Sequence, residues 1–275
     1  MDTTQQYGQQ NFNLPHDVVK LPSGGVFYKN KKKSVKVGYL TAADENILMA
    51  GDSIGKDGLV ITLLRNKIYE PDLRPDELLQ GDLEAILIFL RNSAFGPEYN
   101  ITLTDPTTDK KFETTILLDE LYIKETNQTP SEDGFFTVKL PKSGMTVKLK
   151  PLSFGEISDL DKMAEQYPVG RIAPKQTWKL NKMVVEIEGN SDISFITQSI
   201  ESLPISDAKF IRTFVEENEP RLNLIRKVNA PSGKEVYANI AFGVEFFRPF
   251  FQLPRNPILG ILYLYKTFKH FVFGL

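Results

Sequence analysis

The 275-residue sequence contains no cysteine, two histidines and one tryptophan. Each shortage removes a class of chemistry. Without thiols there are no disulfides, thiolate zinc sites or cysteine nucleophiles, which fits assembly in a reducing cytosol. Only His16 and His270 could serve a Ser-His-Asp site or a histidine-bound metal, and both are expected in terminal tails. A surplus of one charge is missing too: 33 basic residues face 35 acidic ones. That balance lacks the electrostatic footprint of many phosphate contacts, so no nucleic-acid partner is expected. The start, MDTTQQYGQQNFNLPHD, lacks the basic and apolar segments of a signal peptide. Asn100-Ile101-Thr102 and Asn127-Gln128-Thr129 therefore read as chance matches to a glycosylation acceptor.

Phosphate-binding loops are absent as well. DSIGKDG at 52–58 has a Gly-Lys pair without the G-x-x-x-x-G-K-[ST] frame and reads as a solvated turn, and PSGKE at 231–235 fails the same test. Carboxylates are plentiful, but a working acid/base pair is defined by proximity in space. No catalytic residue, cofactor or metal site is assigned from the sequence.

What the chain does contain is enough apolar residue, 41%, to build packed cores. A Gln- and Asn-rich arm, 1–17, comes first. The fold is expected to begin near Val18 with two strands around a turn that holds Pro22, Gly24 and Gly25 and a lysine-rich tip, Lys29 and Lys31 to Lys33, read as solvated. Thr41, with Asp44 three residues on, can start a helix. After a looser stretch with Gly51, Gly55 and Gly58, LVITLLRNKIY reads as helical. Asp82 is then placed as the cap of a helix whose Leu83, Ile86, Leu87 and Leu90 share one face, with Arg91 near its carboxyl end. Two Thr- and Ile-rich strands follow around Asp105-Pro106-Thr107. Residues 125–134 make a polar linker.

The same order then returns. Val138 to Lys150 predicts a hairpin, Ser153 caps a helix with Ile157 and Leu160, and a middle stretch runs from Trp178 to Leu203. Asp207 is placed as the cap of a helix with Phe210, Ile211, Phe214 and Val215 inward, and LIRKVNAPSGKEVYANIAFGVEFF forms a last hairpin. Asp82 precedes Pro106 by 24 residues and Asp207 precedes Pro231 by 24, while Leu121 and Phe246 each lie 15 beyond their proline. An internal repeat is the expectation. It gives an α+β fold of two similar hairpin/helix/helix/hairpin modules, 18–128 and 129–253, and an apolar helical tail, 254–275. The copies differ by VFYKNKK in the first and a longer middle segment with YPVGRIAPKQTW in the second, which mark where the halves could meet different partners.

The carboxyl end is dense in Phe, Leu, Ile and Tyr. Phe246, Phe247, Phe250, Phe251, Ile258, Ile261, Leu262, Tyr265, Phe268 and Phe271 are the candidate partner-binding residues. They can pack on their own chain, dock on another protein or contact a membrane; Lys266, Lys269 and His270 make an amphipathic helix a better reading than a spanning one. An apolar surface of this size calls for burial against something.

Taken together, LPSGGVFY, YLTAADENIL, LRNSAFGPEY, TDPTTDKKFETTILLDEL and FFRPFF, spread over 18–251, resemble the baseplate hub and hub-assembly proteins of T-even-type contractile-tailed bacteriophages. Members of that family often carry a Cys-Pro-x-Cys-Gly turn after the capped helix. This chain reads Thr104-Asp105-Pro106-Thr107-Thr108 and Asn229-Ala230-Pro231-Ser232-Gly233 there, so the prolines stay and a metal-supported turn is not carried over. The resemblance implies a non-enzymatic structural protein or assembly chaperone, with other tail and hub proteins as partners, in the host cytoplasm during assembly and in the tail baseplate of the virion. The alternatives are a peripheral membrane-contacting tail protein and an envelope-degrading enzyme.

Overall fold

The computed structural model describes residues 15–49, 51–242 and 244–247, with side chains described for these except 49, 51–57, 244 and 245. The fold is α+β. Its first half runs β1 (His16–Lys20), β2 (Ser34–Gly38), α1 (Ala42–Met49), α2 (Gly51–Lys67), α3 (Gln80–Phe95), β3 (Glu98–Thr104) and β4 (Lys111–Leu117). The second half runs β5 (Phe136–Lys139), β6 (Thr146–Leu149), α4 (Phe154–Glu165), α5 (Lys175–Met183), β7 (Val184–Ile187), α6 (Ile193–Glu201), α7 (Ile205–Asn218), β8 (Ile225–Asn229) and β9 (Glu235–Asn239). Each half thus opens and closes with an antiparallel hairpin and carries helices between.

Local chemistry explains most starts and stops. Ser153 caps α4 by accepting from the Glu156 amide at 3.2 Å, and the Glu156 carboxylate returns to the Ser153 amide at 3.0 Å. Asp44 reaches back to the Thr41 amide and hydroxyl, both at 2.7 Å, at the start of α1. It also meets Lys67 from the last turn of α2 in a buried ion pair at 2.5 Å, each charge at the helix end that favours it.

Several expectations are corrected. His16 is part of β1, paired with Gly38, so the fold starts before Val18. The glycine-rich stretch at 51–58 lies within α2. Helical glycine costs about 1 kcal/mol relative to alanine, but Leu59, Leu63 and Leu64 of the same helix are buried, and each contributes roughly 1.5–3 kcal/mol. The stretch from Trp178 to Leu203 supplies a strand that period counting missed: β7 joins β6 and makes a three-stranded sheet, with Val147 opposite Ile187. In the lysine tip, Lys29 and Lys33 are exposed as expected, while Lys31 and Lys32 are tied down. Lys32 pairs with Asp72 at 2.5 Å and with Glu70, and Lys31 donates to the Val26 carbonyl at 2.7 Å and the Glu132 carbonyl at 2.5 Å.

Two apolar clusters form the interior. One gathers α2, α3 and the first hairpins, and the other gathers β5–β7 with α5–α7. The last hairpin follows the first cluster, not its own half: Ala238, Ile240, Phe242, Phe246 and Phe247 pack there, as does Phe154 from α4. Packing therefore crosses residues 128/129, and Phe27 touches both clusters and lies 5.7 Å from the Phe136 ring.

Candidate partner-binding surface

Asp82 and Asp207 do not cap their helices. The caps are Leu79 and Pro204, neither with a side-chain bond, and each aspartate is the third helical residue. There, each carboxylate holds the turn of its half's opening hairpin. Asp82 accepts from the Ser23 amide at 2.8 Å, the Ser23 hydroxyl at 2.5 Å and the Tyr28 hydroxyl at 2.5 Å. Asp207 accepts from the Lys142 and Ser143 amides, both at 2.8 Å. Their environments differ. Burial raises the Asp82 carboxyl above its ordinary range despite the bonds from Ser23 and Tyr28. For Asp207, burial is outweighed by the Ser143 and Lys142 donors, and its pKa falls.

The halves meet over a second charged group. Gly81 allows α3 to approach the 219–223 segment so closely that a Cβ there would sit 2.2 Å from the Pro220 carbonyl oxygen. Beside it, Arg221 donates to Glu84, and Glu219 lies buried at 9% exposure. Burial pushes the Glu219 carboxyl up to about 7, with Arg221 opposing the rise and Glu84 adding to it. Glu84 is raised by burial as well, with Arg221 opposing. Around this group the Lys124 amide donates to Arg221 at 2.8 Å, the Asn223 amide to Tyr122 at 2.9 Å and the Gln128 amide to the Asn218 side chain at 2.8 Å. These carboxylates lie inside a packed joint and bind the halves to each other. The hairpin tips are tied too, since Asp105 accepts from the Ser232 hydroxyl at 2.7 Å and amide at 3.0 Å.

Of the expected partner-binding residues, Phe246 and Phe247 are 1% exposed. They are core residues of this chain: Phe246 packs 5.4 Å from Tyr99 and 5.1 Å from Phe247, with the Arg91 guanidinium 5.7 Å from its ring. The aromatic run buries itself because Tyr99 and Arg91, which donates to the Gly96 and Glu98 carbonyls, form a ready seat for it. Phe250, Phe251, Ile258, Ile261, Leu262, Tyr265, Phe268 and Phe271 lie outside the described residues. Among the described residues no helix is long and apolar enough to cross a membrane, and no group of His, Asp and Glu is arranged to hold a metal.

Exposed apolar side chains are scattered over the described residues, Ile193 and Ile205 among them. In the loop between α4 and α5, Val169 and Ile172 are 105% and 95% exposed. The sequence marked this loop as an insertion, and its apolar residues fit no helical or strand period. The Glu84, Glu219 and Arg221 group carried no comparable signal, because its members are brought together across 137 positions.

These features define the class: an α+β protein whose hairpin-and-helix halves are joined by buried charge. The family described as T4 bacteriophage base plate protein matches residues 16–248, and the chain belongs to that family. No curated protein and no solved structure matches the chain.

Proposed function

We propose that this baseplate protein is a structural component or assembly factor of the central hub, acting through protein contacts and without catalysing a reaction. The family match over 16–248 carries the reading. The burial of Glu84 and Glu219 in the joint supports it, because carboxylates closed off by Arg221 and the Gly81 contact are poorly placed to meet a substrate. Its partners are other tail and hub proteins, met in the host cytoplasm during assembly and then in the tail. The residues proposed for those contacts are Phe250, Phe251, Ile258, Ile261, Leu262, Tyr265, Phe268 and Phe271.

The two modules, 18–128 and 129–253, are proposed to be copies of one unit. Their support is the antiparallel hairpin that opens and closes each and the aspartate at the third helical residue that holds the opening turn in each, although the second also carries β7 and a fourth helix.

Mass spectrometry of purified tails and of assembly intermediates tests the role. A structural subunit is found in both and a chaperone only in intermediates; detection in neither sinks the reading. A chain ending at Leu253 is expected to keep its fold and lose hub binding. Liposome flotation of the full chain that disappears in the shortened one would instead assign residues 254–275 to a membrane.

A further inference from the structure

The chain passes from the first apolar cluster to the second between Leu121 and Phe136 and returns between Val215 and Leu222. The outgoing and returning segments pair with each other. Ile123 bridges Leu222, the Lys124 amide donates to the Arg221 carbonyl at 2.8 Å and the Asn223 amide to the Tyr122 carbonyl at 2.9 Å. The returning segment is seated on α3 by charges that do not balance. Two carboxylates, Glu84 and Glu219, share the single guanidinium of Arg221, and the Gly81 amide donates to Glu219. Glu84 Oε2 and Glu219 Oε1 are buried without a hydrogen-bond partner among the described residues. Asp82 of α3 adds negative charge toward Glu219, and Glu216 of α7 faces Arg221. A proton on Glu219 leaves the Glu84 and Arg221 pair neutral. Without it, an uncompensated negative charge is held in a packed joint, which is costly.

We propose that this joint is a proton-operated latch: with a proton on Glu219 the 219–223 segment stays seated on α3, and when the proton leaves, the segment lifts away from α3 and from residues 121–124 while both apolar clusters stay folded. Gly81 makes the seat sensitive, because main chain meets main chain there with no room for the group to rearrange in place. The outer side of the paired segments is already open to solvent at Tyr122 and Ile123. Release of the segment alone is favoured over unfolding of the whole, because the halves are also tied at places that carry none of these charges. The Phe154 amide donates to the Leu78 carbonyl at 2.8 Å, and Phe27 packs on Phe136. The Glu219 carboxyl, pushed by burial up to about 7, puts the release near neutral pH. The latch stands or falls independently of the hub role.

The test is amide hydrogen exchange of the full chain, read residue by residue by NMR from pH 5 to pH 8 and corrected for the intrinsic pH dependence of exchange. A carboxyl whose pKa is higher in the closed joint than in the open one makes opening more favourable as pH rises. At the Lys124 and Asn223 amides the opening equilibrium should therefore increase by about tenfold per pH unit from 5 to 7 and level off by 8. The Phe154 amide should keep its protection throughout. Glu219→Gln, which imitates the protonated acid, should remove the pH dependence at Lys124 and Asn223 and hold the joint closed. The contrast between these amides and Phe154 is read in the wild type alone, so it decides the matter even if the variant fails to fold. An opening equilibrium at Lys124 and Asn223 that does not change with pH overturns the latch, as does a slope that survives in Glu219→Gln. An equal rise at Phe154 also overturns it and assigns the pH dependence to unfolding of the whole chain.

Discussion

The Tyr28 hydroxyl donates to Asp82 at 2.5 Å while accepting from the Leu79 amide at 2.9 Å. One side chain therefore ties a hairpin turn to both the aspartate and the entrance of α3. Burial, together with the Asp82 charge, keeps that hydroxyl protonated well beyond its ordinary range. Removing the Asp82 carboxylate leaves the Ser23 amide and two hydroxyls without their acceptor in a buried site, so Asp82→Ala should cost about 3 kcal/mol. Tyr28→Phe should cost about 1–2 kcal/mol. Asp207→Ala, which releases two backbone amides, should cost no more than Tyr28→Phe. Urea unfolding of the three variants gives the order; equal losses for Asp82→Ala and Asp207→Ala would contradict it.

The joint between the halves predicts a pH dependence. Glu219 has a folded pKa of about 7 against an ordinary 4.5. Between those values the folded chain retains a proton that the unfolded chain has released. Stability is therefore highest below about pH 4.5 for this group and falls as pH rises to about 7, by roughly 3 kcal/mol at most. Glu84, raised in the same direction, adds to the slope. Glu219→Gln should flatten the curve and make the protein more stable than wild type above pH 7. Thermal unfolding over this range measures the difference, and a Gln variant with the wild-type slope would rule the assignment out.

Gly81 sets the spacing of the same joint. An alanine methyl there would overlap the Pro220 carbonyl and the Arg221 backbone, which lies 2.7 Å from the added atom. Both are main chain, so neither can rotate away. Gly81→Ala should cost roughly 3 kcal/mol and detach the 219–223 segment from α3. Faster hydrogen exchange at the Lys124 and Asn223 amides would report it; exchange at wild-type rates would not fit.

Phe246 belongs to the interior and can be separated from the tail by experiment. Phe246→Ala should destabilise the protein by about 3–5 kcal/mol, whereas ending the chain at Leu253 should leave the melting temperature near wild type. A shortened chain that unfolds like Phe246→Ala would show that residues 254–275 support the core.

The α+β composition, the four hairpin positions, the Leu83, Ile86, Leu87 and Leu90 face and the Ser153 cap were legible because each depends on residues within a few turns of one another. Asp82 and Asp207 look like helix caps for the same reason: an aspartate just before an apolar period is what a cap requires. Their real partners, Ser23 and Ser143, stand 59 and 64 positions away. The turns of both opening hairpins, at Pro22 and between Val138 and Lys150, were visible, but not that a carboxylate closes on each. Phe246 and Phe247 look sticky until Tyr99 and Arg91 are beside them.

The sequence by itself determined the element types and their order, since hydrophobic period, turn residues and caps act over short distances. It also determined which chemistries are unavailable, since a missing thiol cannot be supplied by folding. The tertiary structure decided which charges are buried together, on which core the last hairpin rests and which of two insertions stays bare. Those outcomes depend on burial and on contacts between distant segments, where a close approach at Gly81 or an open side at Val169 is a property of the packed chain and not of either residue alone.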